Sequence, residues 1–319
     1  MAKLSVLMPV YNVEEHISDA LDSVLNQSFN DFELLILDDG STDGTSAILQ
    51  RYAALDSRIH LFASANQKVA KCLNQLVSVA TGKYIARMDG DDLCRPTRFE
   101  KQINALESDI SIGVIGSWVK TFGDVDETWH YRKDDNFSKA LIANGVTALC
   151  HPSWMMLRSY LLEQPYDDNY RFIIDRAWLA HFALKYTDKK IVAIPEVLLD
   201  YRVHQQSVTG RYFDKMEVKT QLLLKHYYQI LGLTLSDEAL IDFCHVTYCR
   251  TVPPLVFERC KVVYRNAYNA FCSKYTDDFF AFKEKWINFC IKNHKPAKYY
   301  RNIPVDNFVF LAEQPTRAD

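Results

Sequence analysis

The first ninety residues alternate short apolar runs with helical spacing, and no other feature restricts the fold of this 319-residue chain as tightly. Ser5 to Val10 reads as a buried strand that enters a loop at Tyr11-Asn12. Ile17, Ala20, Leu21, Val24 and Leu25 then recur at the spacing of one helix face. Phe32 to Leu37 is a second strand, stopped by Asp38-Asp39-Gly40-Ser41, with a helix expected from about Thr42 to Tyr52 and a third strand over Ile59 to Ala63. Val69, Cys72, Leu73, Leu76, Val77 and Ala80 return to helical spacing, with Gly82 as the expected C-cap. Tyr84 to Met88 is a fourth strand that runs straight into Asp89-Gly90-Asp91-Asp92. Such alternation predicts a parallel sheet covered by helices on both faces. Ligands in such sheets bind beyond the carboxyl ends of the strands. Tyr11-Asn12, Asp38-Asp39 and Asp89–Asp92 all fall at such ends, so three polar clusters converge on one edge.

Further strands are expected over Gly113 to Val119, Leu149 to Leu157 and Lys190 to Tyr201, with a helix from Asp175 to Tyr186. After Arg211 the pattern changes to long helical segments with few turn signals before Pro253-Pro254. The charge changes with it. Residues 211–319 hold 16 Lys and Arg against 12 Asp and Glu, whereas residues 1–210 hold 21 against 28. The expected class is therefore α/β, a Rossmann-like nucleotide-binding half with a mixed sheet, followed by a mainly α-helical C-terminal extension. The division is drawn as 1–210 and 211–319.

Hydrophobic residues at 48% and charged residues at 24% exclude a disordered chain, and a net charge of −3 excludes a dedicated nucleic-acid binder. No apolar run approaches the ~18 residues of a membrane span, and MAKLSVLMPVYN lacks the layout of a signal peptide. A soluble, cytoplasmic protein is the expectation. The 8 cysteines are scattered without a CxxC pair, which favours buried reduced thiols.

None of the ten glycines forms GxGxxG or GxxxxGK[ST], so two common phosphate loops are absent. A diphosphate bound among carboxylates needs a cation between them, and hard divalent ions take carboxylate and phosphate oxygens together. Asp89-Gly90-Asp91-Asp92 offers carboxylates at i and i+2 around a small residue at a strand end. A DxD triplet alone is a common acidic turn; its place after the fourth strand gives it meaning.

The chain also resembles the inverting family 2 glycosyltransferases of GT-A fold. The residues that carry the likeness are SVLMPVYNVEEHISDALDSVLNQSFNDFELLILDDGSTDGT, the Asn66-Gln67-Lys68 block to Asn74, GKYIARMDGDD, RPTRFEKQ, HPSWMMLR and IPEVLLDYRVHQQSV. They cover about residues 3–210. The resemblance implies a nucleotide-sugar-binding half at 1–110 and an acceptor half at 111–210. It places Pro9, Val10 and Tyr11 against the nucleotide base and Asp39 on the uracil ring beside Asp38, for which a turn cap is the structural alternative. Asp89 then faces the ribose across Gly90, with Asp91 on a Mn²⁺ or Mg²⁺ ion. His204, in the Arg202-Val203-His204 element, completes the metal site or is a structural histidine. Asp175 is the catalytic base, although the family's usual Glu before it is Ile174 here. Asn66 lies in the donor loop, where Lys68 stands at a position the family commonly gives to Gly. Lys71, Arg87 and Arg98 are candidates for diphosphate contact, or else make surface and salt-bridge contacts. Trp154 is expected to shape the substrate pocket.

The implied reaction moves a hexose or N-acetylhexosamine from a UDP-sugar to a saccharide or lipid-linked oligosaccharide acceptor, with inversion to a β-glycoside. The competing readings are a sugar-nucleotide-forming nucleotidyltransferase and a non-catalytic carbohydrate-binding relative. Lys283, Lys285, Lys292, Lys295, Lys298 and Arg301 alternate with Phe282, Trp286, Phe289, Tyr299 and Tyr300. That pattern suits peripheral membrane association through 281–301 at the inner face of the cytoplasmic membrane, or a helical appendage with packed aromatics.

Overall fold

The computed structural model describes residues 2–131, 133–204, 212–275 and 280–295. The expected boundary at 210/211, the end of the IPEVLLDYRVHQQSV motif and the basic tail beyond 295 lie outside these residues. The chain divides into two compact units, one of Met1–Ser138 with Thr147–Met216 and one of Lys139–Val146 with Glu217–Asp319.

The first unit opens with β1 (Leu4–Val10), α1 (Ile17–Leu25), β2 (Phe32–Asp38), α2 (Thr45–Leu55), β3 (Ile59–Ala63), α3 (Val69–Val79) and β4 (Tyr84–Arg87). It continues through β5 (Leu93–Cys94), α4 (Arg98–Ser108), β6 (Ile112–Gly123), β7 (Thr128–Trp129) and α5 (Asp135–Ala143). A 3₁₀ turn at His151–Ser153 precedes β8 (Met155–Leu157), α6 (Arg158–Glu163), α7 (Ile174–Lys185) and β9 (Lys190–Val203). The sheet runs β3-β2-β1-β4-β8-β6-β9-β5, with β7 paired to β6. β3, β2, β1 and β4 are mutually parallel, as the alternation requires. β8 lies antiparallel between β4 and β6, which makes the sheet mixed.

Helices supply the cover. Ile17, Ala20, Leu21 and Val24 of α1 are fully buried, as are Leu73 and Leu76 of α3. Val6, Met8, Leu34 and Ile36 bury the strands beneath them, in one core cluster with Ile17, Leu21 and Val24. Each such side chain contributes about 1.5–3 kcal/mol by leaving water.

Three local expectations are corrected by packing. Gly82 is not the C-cap of α3, which is Ala80. A Cβ at Gly82 would lie 2.6 Å from the Ser5 nitrogen, so the glycine is there because the chain passes hard against β1. The expected strand at Leu149–Leu157 is a 3₁₀ turn with only three residues of β8, because Pro152 cannot donate to a ladder. Arg98 does not reach a diphosphate edge. Its guanidinium is fully buried and donates to the Arg87 carbonyl at 2.8 Å and to Gln102 Oε1 at 3.0 Å. Gln102 in turn donates to the Ser153 carbonyl at 2.7 Å. The i, i+4 pair on α4 thus pins the end of β4 to the turn before β8.

The second unit is helical, with α8 (Phe213–Ile230, from Glu217 onward), α9 (Asp237–Thr247), α10 (Pro254–Cys272) and α11 (Phe280–Lys292). Gly232, at φ +81, turns the chain between α8 and α9. Phe257 stacks on Phe289 at 5.2 Å and Tyr264 on Trp286 at 5.7 Å. Tyr264 Oη donates to Asn144 Oδ1 at 2.5 Å, which holds the 139–146 segment in this unit. Phe282, Trp286 and Phe289 are therefore interior residues of the helical unit and not surface aromatics. No helix among the described residues is long and apolar enough to cross a membrane. All eight cysteines are free, six buried and Cys249 and Cys272 partly exposed.

Arg98→Ala strands at least two buried acceptors and leaves a cavity, so it should destabilise the protein by about 3 kcal/mol or more in urea unfolding. A loss below about 1 kcal/mol would contradict the pinning role.

Candidate active site

The carboxyl end of β4 carries the acidic cluster. Ligand oxygens of Asp89, Asp91 and Asp92 all lie within 4.8 Å of one another, a spacing that oxygen ligands of one divalent cation adopt. Gly90 permits the turn: a Cβ there would meet Val10 Cγ1 at 2.7 Å, so the loop rests directly on the end of β1. Arg87, the last residue of β4, is buried and ion-paired to Asp89. Burial works against its charge, but Asp89 and Asp92 outweigh it and hold the guanidinium above its ordinary range. Arg87 therefore balances part of the charge of the acidic cluster.

One arginine does not neutralise three carboxylates. Burial pushes the Asp91 carboxyl up, with the Asp89 charge adding to it and His204 working the other way. Burial and the charges of Asp89 and Asp91 push Asp92 well above the usual carboxylate range. Asp92 Oδ2 is buried without a hydrogen-bond partner. Crowded oxygens with raised proton affinity, an orphaned buried oxygen and an adjacent imidazole form a donor set that fits Mn²⁺ or Mg²⁺.

His204 is 113 residues from Asp91 in sequence, yet its Nε2 lies 3.3 Å from Asp91 Oδ2. Pairing brings them together. β5 follows the acidic turn immediately and aligns Leu93 with Asp200 of β9. The Arg202 amide then donates to Asp92 Oδ1 at 2.8 Å, and Arg202 Nε donates to the Asp91 carbonyl at 2.9 Å. Asp92, which the motif contained without an assigned role, docks the end of β9 onto the turn.

Two strands away, Asp39 organises the end of β2. It is nearly buried, and its Oδ1 accepts from Ser64 Oγ at 2.5 Å and the Gln67 amide at 2.7 Å. Oδ2 accepts from the Lys68 amide at 2.9 Å. Burial alone would raise its pKa, but these bonds outweigh it and hold the carboxyl below its ordinary range. Asp38 Oδ1 accepts from the Ser41 amide at 2.9 Å, the geometry of a turn cap. Asn12, at φ +52, accepts from the Thr42 amide at 2.8 Å and ties the exposed Tyr11 loop to the β2–α2 loop.

Lys68 stands at φ +78 and ψ 159, a region that only glycine enters freely, and Asn66 precedes it at φ +57. A side chain there costs about 1–3 kcal/mol of strain, tolerated because Asp39 grips the Gln67 and Lys68 amides. The Lys68 ammonium donates to Asn66 Oδ1. The backbone thus keeps a glycine's conformation where the residue is lysine. Lys71, three residues on in the first turn of α3, is exposed.

Asp175 lies in the first turn of α7 and is half-buried. Phe172, three residues earlier, has φ +78, a second strained position at this edge. The buried Cys150 thiol is pushed up by burial, then by Asp92, Asp89 and Asp175, which places the helix carboxylate in the same field as the acidic turn. Tyr131 and Tyr166 also feel Asp175. His151 Nε2 pairs with Tyr166 Oη at 2.9 Å, and burial with the Arg87 charge depresses its pKa, so this histidine is neutral. These residues lack any spacing that could have marked them in the sequence. Trp154, expected at a pocket wall, is instead fully buried between His151 and Trp178.

The model of the family described as Glycosyl transferase family 2 matches residues 5–164. The chain belongs to this family. Its glycosyltransferase relatives include the putative glycosyltransferase EpsE of Bacillus subtilis, 39% identical over 159 residues, which are 49% of this chain and 57% of EpsE. The O-antigen biosynthesis glycosyltransferase WbnJ of Escherichia coli is 28% identical over 208 residues, 64% of this chain and 81% of WbnJ. Among solved structures, Staphylococcus aureus TarS 1–349 in complex with UDP-GlcNAc superposes with a TM-score of 0.60 at 15% identity, covering 94% of this chain and 89% of that one. The mannosyltransferase PcManGT of Pyrobaculum calidifontis in complex with GDP-Man and Mn²⁺ gives a TM-score of 0.55 at 14% identity, covering 92% of this chain and 87% of that one. The fold is GT-A-like, and the matched family is one of glycosyl transferases, which speaks against the nucleotidyltransferase reading.

Two outcomes follow from this edge. Mn²⁺ should raise the Tm of the wild-type chain, while Asp91→Asn should raise the metal-free Tm by relieving repulsion and abolish the Mn²⁺ shift; thermal unfolding with and without EDTA checks both. For Asp39 the folded pKa lies below the unfolded value of about 3.9. Its stabilisation is complete above that value and disappears as the pH falls through the folded pKa. Asp39→Asn should therefore cost about 1–3 kcal/mol at pH 7 and much less in strong acid, measured by urea unfolding at both pH values.

Proposed function

We propose that this family 2 member is a metal-dependent inverting glycosyltransferase that moves a hexose or N-acetylhexosamine from a UDP-sugar to a saccharide or lipid-linked saccharide, giving a β-glycoside. The observation that carries the reading is the meeting of Asp89, Asp91, Asp92 and His204 at the β4 edge, two strands from the Asp39 loop. In this reading residues 1–110 bind the donor, 111–210 the acceptor, and 211–319 form a helical extension.

Pro9, Val10 and Tyr11 flank the base, with Asp38, Asp39, Asn66 and Lys68 at its edge. Asp89 and Gly90 approach the ribose, with Arg87 ion-paired to Asp89. Asp91 and His204 would hold the cation, which when bound supplies Lewis-acid stabilisation to the departing diphosphate. Asp175 removes the proton from the acceptor hydroxyl as that oxygen attacks the anomeric carbon from the face opposite the leaving group. One base and one leaving-group site suffice for a single displacement, hence inversion. WbnJ, named for O-antigen biosynthesis, supports a polysaccharide acceptor. If the acceptor is lipid-linked, membrane contact through 281–301 would fall to the basic side chains of that stretch, since Phe282, Trp286 and Phe289 are interior.

Asp175→Asn should lower kcat by about 10²–10⁴-fold and leave UDP-sugar affinity nearly unchanged, measured by transfer kinetics and calorimetry. Full activity in that variant removes the base assignment, and a retained anomeric configuration in product NMR removes the inverting mechanism.

A further inference from the structure

We propose that Asn74, Gln164 and Tyr166 form a brace that positions Asp175, tying α7 to α3 and to the turn before β8. This rests on the reading of Asp175 as the base and names the residues that act through it. All three are positioning residues, which affect the reaction only by where they hold that carboxylate.

Apolar packing is non-directional, so it holds a helix in a core without fixing how far the helix slides or turns. Trp178, three residues after Asp175 on α7, is buried and stacks on Phe182 at 5.1 Å. Hydrogen bonds then fix the helix. Trp178 Nε1 donates to the Gln164 carbonyl at 2.7 Å, and Gln164 Nε2 donates back to the Trp178 carbonyl at 2.8 Å. A reciprocal pair with these distances and directions admits one register of α7 against the 164–166 segment.

The other end of that segment is tied to the first half of the sheet. Asn74 Nδ2 donates to the Tyr166 carbonyl at 2.8 Å, and the Tyr166 amide donates to Asn74 Oδ1 at 2.9 Å, a second reciprocal pair across 92 residues. Asn74 lies on α3, whose N-cap is Lys68, and Asp39 grips the Gln67 and Lys68 amides at that end. Tyr166 Oη meets His151 Nε2 at 2.9 Å in the turn before β8. β8 pairs with β4, and beyond the pair the Arg87 amide donates to the Trp154 carbonyl at 3.0 Å. One short segment therefore joins the base helix, the Asp39 loop and the strand that ends in the acidic turn.

Stability alone is a weak reason for such an arrangement. A hydrogen bond contributes about 1 kcal/mol net, and apolar groups of the same shape in place of both partners are nearly neutral. Placement is the stronger reason, because a misplacement of about 1 Å in a reacting group costs about 100-fold in rate. The charges of Asp175, Asp89 and Asp92 all reach the buried Cys150 thiol, so the base and the acidic turn share one region that the brace holds in register.

The test uses the full chain with Mn²⁺ and follows transfer to water from UDP-glucose, UDP-galactose and UDP-GlcNAc, with UDP affinity by calorimetry and Tm alongside. Asn74→Ala cuts the tie to α3 and Gln164→Ala half of the tie to α7. Tyr166→Phe removes only the contact with His151 and keeps both backbone bonds to Asn74, so it carries the test if Asn74→Ala fails to fold. Each variant should lower kcat, Asn74→Ala and Gln164→Ala by about 10- to 100-fold, with donor KM and UDP affinity unchanged. On an Asp175→Asn background the same substitutions should lower the residual rate no further, because they act through the carboxylate. A fall in Tm with kcat unchanged overturns the proposal and leaves the three residues a structural role. A kcat loss that persists in full on Asp175→Asn, or that is matched by a loss of UDP affinity, overturns it as well. Full activity in Asp175→Asn alone instead overturns the base assignment, and a wild type that turns over none of the three donors overturns the donor reading.

Discussion

Three carboxylates gathered at the end of one strand repel one another, and much of the first unit is arranged around that repulsion. Arg87 is buried beneath the turn and offsets part of the charge, while Asp92 spends one oxygen on the Arg202 amide. The remaining oxygens keep a raised affinity for protons, and so also for a cation.

Sheet order turns that cluster into an extended binding edge. Parallel β2, β1 and β4 bring the Asp39 loop and the acidic turn to the same side. The short β5 then reverses the chain against β9, and this carries His204 to Asp91. Among the described residues of the first unit, the non-glycine residues at positive φ are Asn12, Asn66, Lys68 and Phe172, where neighbouring hydrogen bonds and packing hold conformations that isolated residues would leave.

The parts of this design that depend on periodicity were legible in the sequence. Ile17, Ala20, Leu21 and Val24 bury as their spacing predicts, and the apolar runs become β1 to β4 within a residue or two of their expected ends. Residues whose role depends on a distant neighbour were misread. Gly82 looked like a helix cap because its contact, Ser5, is 77 residues away. For Arg98 both a diphosphate contact and a surface or salt-bridge role stood open, and a buried guanidinium bonded to carbonyls has no sequence signature. Trp154 reads as a pocket residue, while Phe282, Trp286 and Phe289 fit either a membrane face or packed aromatics, and the structure buries all four; composition cannot tell a ring that stacks inside from one that faces a ligand.

The sequence by itself determined the alternation of strand and helix, the polar clusters at strand ends and the family blocks. Those features are local, set by side-chain period and by turn residues within a few positions of one another. Tertiary structure alone decided that Asp91 meets His204, that Asp92 docks β9, and that Lys68 holds a glycine's backbone beside Asp39. Each of those outcomes follows from strand pairing and buried hydrogen bonds between segments far apart in the chain, and such contacts exist only once the sheet has closed its order.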